Sequence, residues 1–310
     1  MLTHNNWFTH GFSQGGNQPK YADNWNIEFT HCDLDTDLNF TQAVAQALKI
    51  LAEKNNKLVV QYSGGLDSEI IIREAIKNNI DVIPYTLRFI NDLNDHEIYY
   101  CKLLESELGI KINYIDIDIM SWFYDQEFYH GYCYYIEEYN LWHPAAPQAW
   151  WLREVISEIE GNCCVINGSG DTPLTRRPHK FTPADWQWCV SFNLDGHWKR
   201  LWYSEQFYPC DAPLFYMYTP EIQHSYITHD LFRHCVTPGS FKLGPSSTRH
   251  QLYQTLYPEI TPRTKYTGYE KLWEVNNFKP KFSVRSYSCA MSTKHIPYEE
   301  YIRMLRNPSH

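Results

Sequence analysis

Lys57-Leu-Val-Val-Gln-Tyr-Ser-Gly-Gly-Leu-Asp-Ser-Glu-Ile-Ile-Ile-Arg-Glu-Ala-Ile-Lys77 decides the reading of this chain. The apolar run through Val59 and Val60 suits a buried strand. The segment from Glu69 to Lys77 reads as a helix that starts near Asp67. Between them lies a turn of two glycines, two hydroxyls and one carboxylate.

That turn has the chemistry of an anion cradle. Gly64 and Gly65 accept backbone angles that other residues avoid, and they leave no Cβ in the way of a ligand. Successive N–H groups can then line one concavity. The helix start adds unpaired N–H groups and the positive end of its dipole. Ser63 and Ser68 supply hydroxyl donors. Asp67 would repel a phosphate unless a cation stood between them, so its presence points to Mg²⁺, which favours carboxylate and phosphate oxygens. A capped helix start would also explain Ser and Asp, but capping needs neither two glycines nor both serines.

The rest of the chain limits the setting. The 310 residues are 43% hydrophobic and 20% charged, the balance of a folded globular protein. A formal net charge of −9 gives no global basic field and argues against a nucleic-acid partner. No leader segment is read at the start, and no apolar run approaches the length of a membrane span. Nine cysteines without a C-x-x-C pair fit free thiols in a reducing, cytoplasmic setting. Cys163 and Cys164 are adjacent in an apolar run, so they point to opposite faces. The abundant Trp and Tyr read first as core and surface, and second as a face for a planar ligand or partner.

Strands and helices alternate along the first half. Residues 1 to 25 lack periodicity and read as an extended or loosely attached arm, followed by a short strand at Asn26–His31. A helix is expected over 39–54, where Val44, Leu48 and Leu51 share a face. Further strands are expected at 79–88, 111–117 and 162–167, with helices at 95–108 (Gly109 closing it) and 148–159. Such alternation predicts an α/β fold, a parallel sheet with helices on both faces, whose ligands sit beyond the carboxyl ends of the strands. Asn167-Gly-Ser-Gly-Asp-Thr-Pro-Leu-Thr-Arg-Arg177 follows the fourth strand on that edge. Gly168, Gly170 and Asp171 could grip a metal-bound polyphosphate from a second side, or form an ordinary Asp turn. Arg176 and Arg177 could bind phosphate oxygens or be a solvated basic pair.

Ser-Gly-Gly-Leu-Asp-Ser is not the Walker pattern. It matches the S-G-G-x-D-S signature, and the chain resembles the PP-loop ATP pyrophosphatase superfamily, which is Rossmann-like and belongs to the HUP fold type. The resemblance implies cleavage of ATP between its α- and β-phosphates with Mg²⁺ and an adenylated substrate. It implies that Ser63, Gly64, Gly65, Leu66, Asp67 and Ser68 hold the outer phosphates. It also implies that main-chain groups of Tyr85, Thr86 and Leu87 recognise adenine.

Within that superfamily the chain resembles the synthetase domain of asparagine synthetase and β-lactam synthetase. Their G-x-G-x-D-E segment is similar to Asn167–Asp171, although here one residue fewer separates the second Gly from the Asp, and Thr172 replaces Glu. On this likeness Asp171 joins Asp67 as a metal ligand. Asp211-Ala-Pro-Leu-Phe is similar to their V-P-F-L-D segment. Thr264-Lys-Tyr-Thr-Gly-Tyr-Glu-Lys271 is similar to their K-x-x-L-R segment, without its Arg, and nominates Lys265 first and Lys271 second as the catalytic lysine. Leu2 stands where a glutaminase domain would carry its nucleophilic Cys, so ammonia or another nucleophile is expected free or from a separate donor protein.

Three regions are expected: an arm at 1–35, a nucleotide-binding domain at 36–180, and an aromatic-rich α+β extension at 181–310 that faces the substrate or caps the fold. In the last region Asp195-Gly196 predicts a hairpin between 186–193 and 197–203. Thr219-Pro predicts the start of a helix through Cys235. His224, His229 and His234 drift around that helix and make no metal site. The functional expectation is an AMP-forming ligase acting on a small molecule. Alternatives are a sulfonucleotide-reductase-like enzyme, for which Cys289 is available without a recognisable flanking motif, a tRNA- or nucleobase-modifying enzyme, for which paired cysteines are absent, and a nucleotide-binding module without turnover.

Overall fold

The computed structural model describes residues 7–12, 25–29, 34, 37–124, 146–170, 174–178, 186–193, 201, 204–205, 207–236, 245–263 and 293–306. Strands β1 (Phe8–Phe12) and β2 (Trp25–Phe29) form an antiparallel pair. Helix α1 (Phe40–Lys54) opens on a capping box: the Asn39 side chain accepts the Gln42 N–H, and the Gln42 side chain accepts the Asn39 N–H. Phe40, Val44, Leu48 and Leu51 form its buried face.

The expected parallel sheet is present. β3 (Leu58–Gln61), β4 (Ile83–Phe89), β5 (Asn113–Ile117) and β6 (Cys164–Asn167) run parallel in the order β5-β4-β3-β6. Helices α2 (Leu66–Lys77), α3 (Asp95–Leu108), α4 (Ile119–Tyr124) and α5 (Ala146–Glu160) lie along the crossovers. Gly109 closes α3 with φ 64° and donates its N–H to Glu105 O. Strand alternation divides the core. Val59, Cys163 and Val165 pack with Leu152 and Ile156 of α5. Leu58, Val60, Cys164 and Ile166 pack on the other face. Each fully buried Val, Leu or Ile contributes about 1.5–3 kcal/mol, so covering both faces stabilises the sheet far more than its few ladder bonds.

Beyond the sheet the chain is α+β. β7 (Leu174–Pro178), β8 (Trp186–Asn193) and β9 (Thr293–Pro297) form an antiparallel sheet in that order. With it go α6 (Pro220–Ile227), α7 (Asp230–Val236), α8 (Pro245–Leu256) and α9 (Tyr298–Arg306). The largest fully buried side chains are Trp7, Tyr62, Tyr216, Tyr253, Tyr301, Phe8, Phe40, Phe215 and Phe232. Among the described residues the aromatic excess therefore builds core.

Two local expectations are corrected. Trp7–Phe12 is no loose arm: Trp7 and Phe8 are buried, and Trp7 Nε1 donates to Met217 O at 3.1 Å. Large apolar rings outweighed the polar composition around them. The strand at 186–193 pairs with β7 and β9; of the partner expected at 197–203 only Leu201 is described, and it is helical, while Asp195 and Gly196 lie outside the described residues. The helix expected over 219–235 is two. Thr219 caps α6, whose run ends at Thr228 with the hydroxyl donating to His224 O at 2.7 Å. The His229 ring nitrogen then accepts the Leu231 N–H as α7 begins. Among the described residues Cys101, Cys163, Cys164, Cys189 and Cys210 form no disulfide, and no helix is long and apolar enough to cross a membrane.

Candidate active site

The sheet order places a switch point between β3 and β6. From β3 the chain builds β4 and β5 on one side, then crosses to lay β6 on the other. A crevice opens at the carboxyl ends of strands related this way. The Ser63–Ser68 loop and the Asn167–Gly170 turn both leave the sheet there. Their stems are tied together: Asn167 Nδ2 donates to Gln61 Oε1 at 3.1 Å, and Ser169 Oγ donates to Asn167 Oδ1 at 2.6 Å.

The two loop glycines differ in what they permit. Gly64 has φ 69°, and a Cβ there would stand 2.6 Å from Glu97 O in the first turn of α3. It is required for the backbone to lie against that helix. Gly65 has an ordinary φ of −83°, and a Cβ there would meet only Ser63 Oγ, at 3.9 Å. The space over Gly65 is open, and Ser63 beside it is exposed. Gly65 is also the N-cap of α2 and supplies no side-chain cap. The first turn of that helix therefore receives no side-chain cap from its N-cap residue and presents the positive end of the helix dipole, which favours an anion.

The second turn closes on the first. A Cβ at Gly168 would stand 2.7 Å from both the main-chain N and the Oγ of Ser68. Gly170, at φ 99°, lies against Leu214. The strand-like segment around Ala212 bridges to Ile166, and Tyr216 N donates to Ser169 O at 3.0 Å. This path brings Tyr216 to the loop, where its hydroxyl donates to Asp67 O at 2.7 Å. Tyr253 of α8 donates its hydroxyl to Asp67 Oδ1 at 2.9 Å. Asp67 itself is half-buried in the first turn of α2.

Beneath the loop lies a buried charge cluster. Glu69 accepts from Tyr62 Oη and Arg73 Nε, both at 2.9 Å, and pairs with Arg263. Arg73 also pairs with Glu107. The Arg263 guanidinium stands 4.0 Å over the Tyr100 ring, and burial lowers its pKa. Burial raises the Tyr62 phenol. Tyr257 donates to Glu74 on the same helix. Residues 253–263 are thereby fastened to α2.

On strand β4, Tyr62 N donates to Tyr85 O at 2.8 Å, and the β3 pairing stops there. Thr86 to Phe89 reach beyond β3. Tyr85 and Thr86 are buried, the first donating to Glu160 Oε1 at 2.6 Å. Their side chains are committed to the core. The Asn94 side chain donates Nδ2 to Leu87 O and accepts the Phe89 N–H at Oδ1, fixing the strand end.

Of the residues nominated from sequence, Ser63 to Ser68, Gly168 and Gly170 converge at the switch point. Tyr85, Thr86 and Leu87 lie on the adjacent strand. Arg176 is on β7 opposite Trp188, with its side chain outside the described residues. Asp171, Lys265 and Lys271 lie outside them entirely. Tyr216, Tyr253, Glu69 and Arg263 were not nominated. A tyrosine 186 positions from its partner carries no local signal in the sequence.

The donor set fits Mg²⁺ held partly by a ligand. Among the described residues no three His, Cys, Asp or Glu side chains converge on a metal. A half-buried carboxylate beside an uncapped helix start is the arrangement in which one or two carboxylates share Mg²⁺ with phosphate oxygens.

No family model and no curated protein matches this chain. Among solved structures it is similar to the NMN synthetase from Francisella tularensis, with 13% identity over 87% of this chain and 93% of that one, and a TM-score of 0.29. It is also similar to the NH3-dependent NAD synthetase from Campylobacter jejuni subsp. jejuni NCTC 11168 in complex with the nitrate ion, with 12% identity over 74% of this chain and 100% of that one, and a TM-score of 0.30.

Proposed function

We propose that this protein is an AMP-forming, ATP-dependent ligase that adenylates a carboxylate or carbonyl group of a small molecule. The observation that supports this best is the open space over Gly65 at an uncapped helix start, with Asp67 in the first turn and a second glycine turn against Ser68.

In this reading Ser63, Gly64, Gly65, Leu66 and Ser68 hold the β- and γ-phosphates through main-chain N–H and hydroxyl groups. Asp67, with Asp171, holds Mg²⁺, which when bound supplies charge neutralisation to the phosphates. The main chain near Leu87 meets adenine. Arg176 and Lys265 stabilise charge on the departing pyrophosphate. A substrate oxygen attacks the α-phosphorus, and the bond to the α–β bridging oxygen breaks as pyrophosphate leaves. Ammonia or another nucleophile then attacks the adenylated carbon and expels AMP. Positioning and electrostatics do the work. The asparagine-synthetase-like choice of acceptor rests on the segments at 167–171, 211–215 and 264–271, and a free or separately donated nucleophile rests on Leu2.

The test is ATP with Mg²⁺ and a pool of small carboxylic acids and amines. AMP and pyrophosphate should appear in equal amounts, only with the pool present, and should vanish in Asp67→Ala. ADP and phosphate as products would overturn the reading. ATP binding without turnover in any pool would make the protein a nucleotide-binding module.

A further inference from the structure

We infer that Tyr253 is a positioning residue that sets the Asp67 carboxylate for Mg²⁺, so that metal binding at the loop depends on α8. This rests on the proposed function, and it concerns how that site is completed.

The geometry has three parts. Tyr253 Oη donates to Asp67 Oδ1 at 2.9 Å, which commits one carboxylate oxygen and fixes the plane of the group. Tyr253 is fully buried, and its ring lies 6.2 Å from Phe40, so the hydroxyl has little freedom to leave. The backbone under the carboxylate is held separately, by Tyr216 Oη on Asp67 O at 2.7 Å, and Tyr216 stacks on the same Phe40. One tyrosine therefore holds the main chain of residue 67 and another holds its side chain.

α8 is anchored to the loop helix by more than this bond. Tyr257, one turn further along the chain, donates to Glu74, and Arg263 pairs with Glu69. The hydroxyl of Tyr253 is thus delivered by a segment fixed to α2 at three points. Groups that orient a metal ligand without touching the metal commonly change metal affinity by about 10–100-fold when removed. A tyrosine whose only task was to fill the core would not have that effect when replaced by phenylalanine.

The experiment titrates ATP into the full-length protein by calorimetry over a range of Mg²⁺ concentrations, and follows Mn²⁺ binding in the presence of ATP by EPR. Tyr253→Phe keeps the ring and removes the hydroxyl. It should raise the Mg²⁺ concentration for half-maximal ATP binding about tenfold, with ATP binding in metal-free buffer unchanged. Tyr216→Phe serves as the second variant: its lost bond is to the main chain, so it should lower thermal stability and leave the Mg²⁺ requirement within about twofold of wild type. An unchanged Mg²⁺ requirement in Tyr253→Phe, with wild type binding normally, overturns the inference and leaves the ligase reading standing. Equal shifts in both variants also overturn it, because the effect would then be structural. Failure of wild type to bind ATP at any Mg²⁺ concentration removes the proposed function itself, and the inference with it.

Discussion

Gly168 presses on Ser68: the site of its missing Cβ is 2.7 Å from the Ser68 main-chain nitrogen and 2.7 Å from its hydroxyl. Two glycine turns from opposite sides of the sheet switch point thus meet with no room for one more carbon. Gly168→Ala should force the two loops apart and cost about 1–3 kcal/mol of stability, read as a lower urea midpoint. A midpoint equal to wild type would mean that the turns separate freely.

Gly65→Ala tests the opposite situation. Its backbone is ordinary and the space beside it is open, so stability should stay within about 0.5 kcal/mol of wild type. Nucleotide affinity should fall about tenfold, because the methyl group would occupy the space proposed for the phosphate oxygens. Unchanged affinity by calorimetry would place the phosphates elsewhere.

Asp67→Asn preserves the size of the group and an oxygen for Tyr253. It removes the charge. If the carboxylate shares the cation with the phosphates, pyrophosphate release should fall by about 10²–10³-fold, while circular dichroism and the thermal midpoint stay close to wild type. Retention of more than half the activity would exclude Asp67 from the reaction.

Asp211 is buried beside Arg153, accepting from Nε at 2.6 Å, from the terminal guanidinium nitrogen at 3.0 Å and from the Val165 N–H at 2.9 Å. Burial pushes its carboxyl up to about 6, against the pull of Arg153. Asp211→Asn would leave the guanidinium buried without a counter-charge. The cost should be about 3–5 kcal/mol, measured by denaturant unfolding. The double replacement Arg153→Met with Asp211→Asn should recover much of it.

His224 gives a pH signature. Burial, with Arg306 and Arg233 nearby, lowers its pKa from 6.5 to about 4. Arg306 Nε donates to its Nε2 at 3.1 Å, which requires the neutral ring. The unfolded chain takes up the proton first as pH falls. The contribution is therefore full above about pH 6.5 and is lost between there and about pH 4, amounting to at most about 3 kcal/mol. His224→Gln keeps an acceptor and does not titrate in this window, so unfolding measured across it should show a flatter dependence. Parallel curves for the two proteins would contradict the assignment.

The parallel sheet was legible because its signals are local. Val59 and Val60 precede two glycines, and Gly109 ends α3 where expected; each reading needs only a few neighbouring residues. The element ends moved by a few positions, since ladder bonds and caps decide them. The glycine turn at Gly64 and Gly65 between β3 and α2 was legible for the same reason, its residues being consecutive. What escaped was long-range. Trp7 looked like part of a polar arm because its acceptor, Met217, is 210 positions away. Tyr253 and Arg263 lay in segments with no repeated spacing, and only the folded chain brings them to Asp67 and Glu69. The single helix expected over 219–235 failed at Thr228, whose hydroxyl satisfies a main-chain carbonyl and lets the helix end.

The bond between Trp7 and Met217 has a consequence for how the protein is made. Ribosomes add about 5–20 residues per second, so the indole waits roughly 10–40 seconds for its acceptor to be synthesised. During translation the four sheet strands, all complete by residue 167, can dock while the leading aromatic pair remains uncovered. A nascent chain stalled after Asn167 has cleared the ribosomal exit tunnel, but before Met217 has, should hold a formed sheet and an exposed tryptophan, a natural target for holdase chaperones.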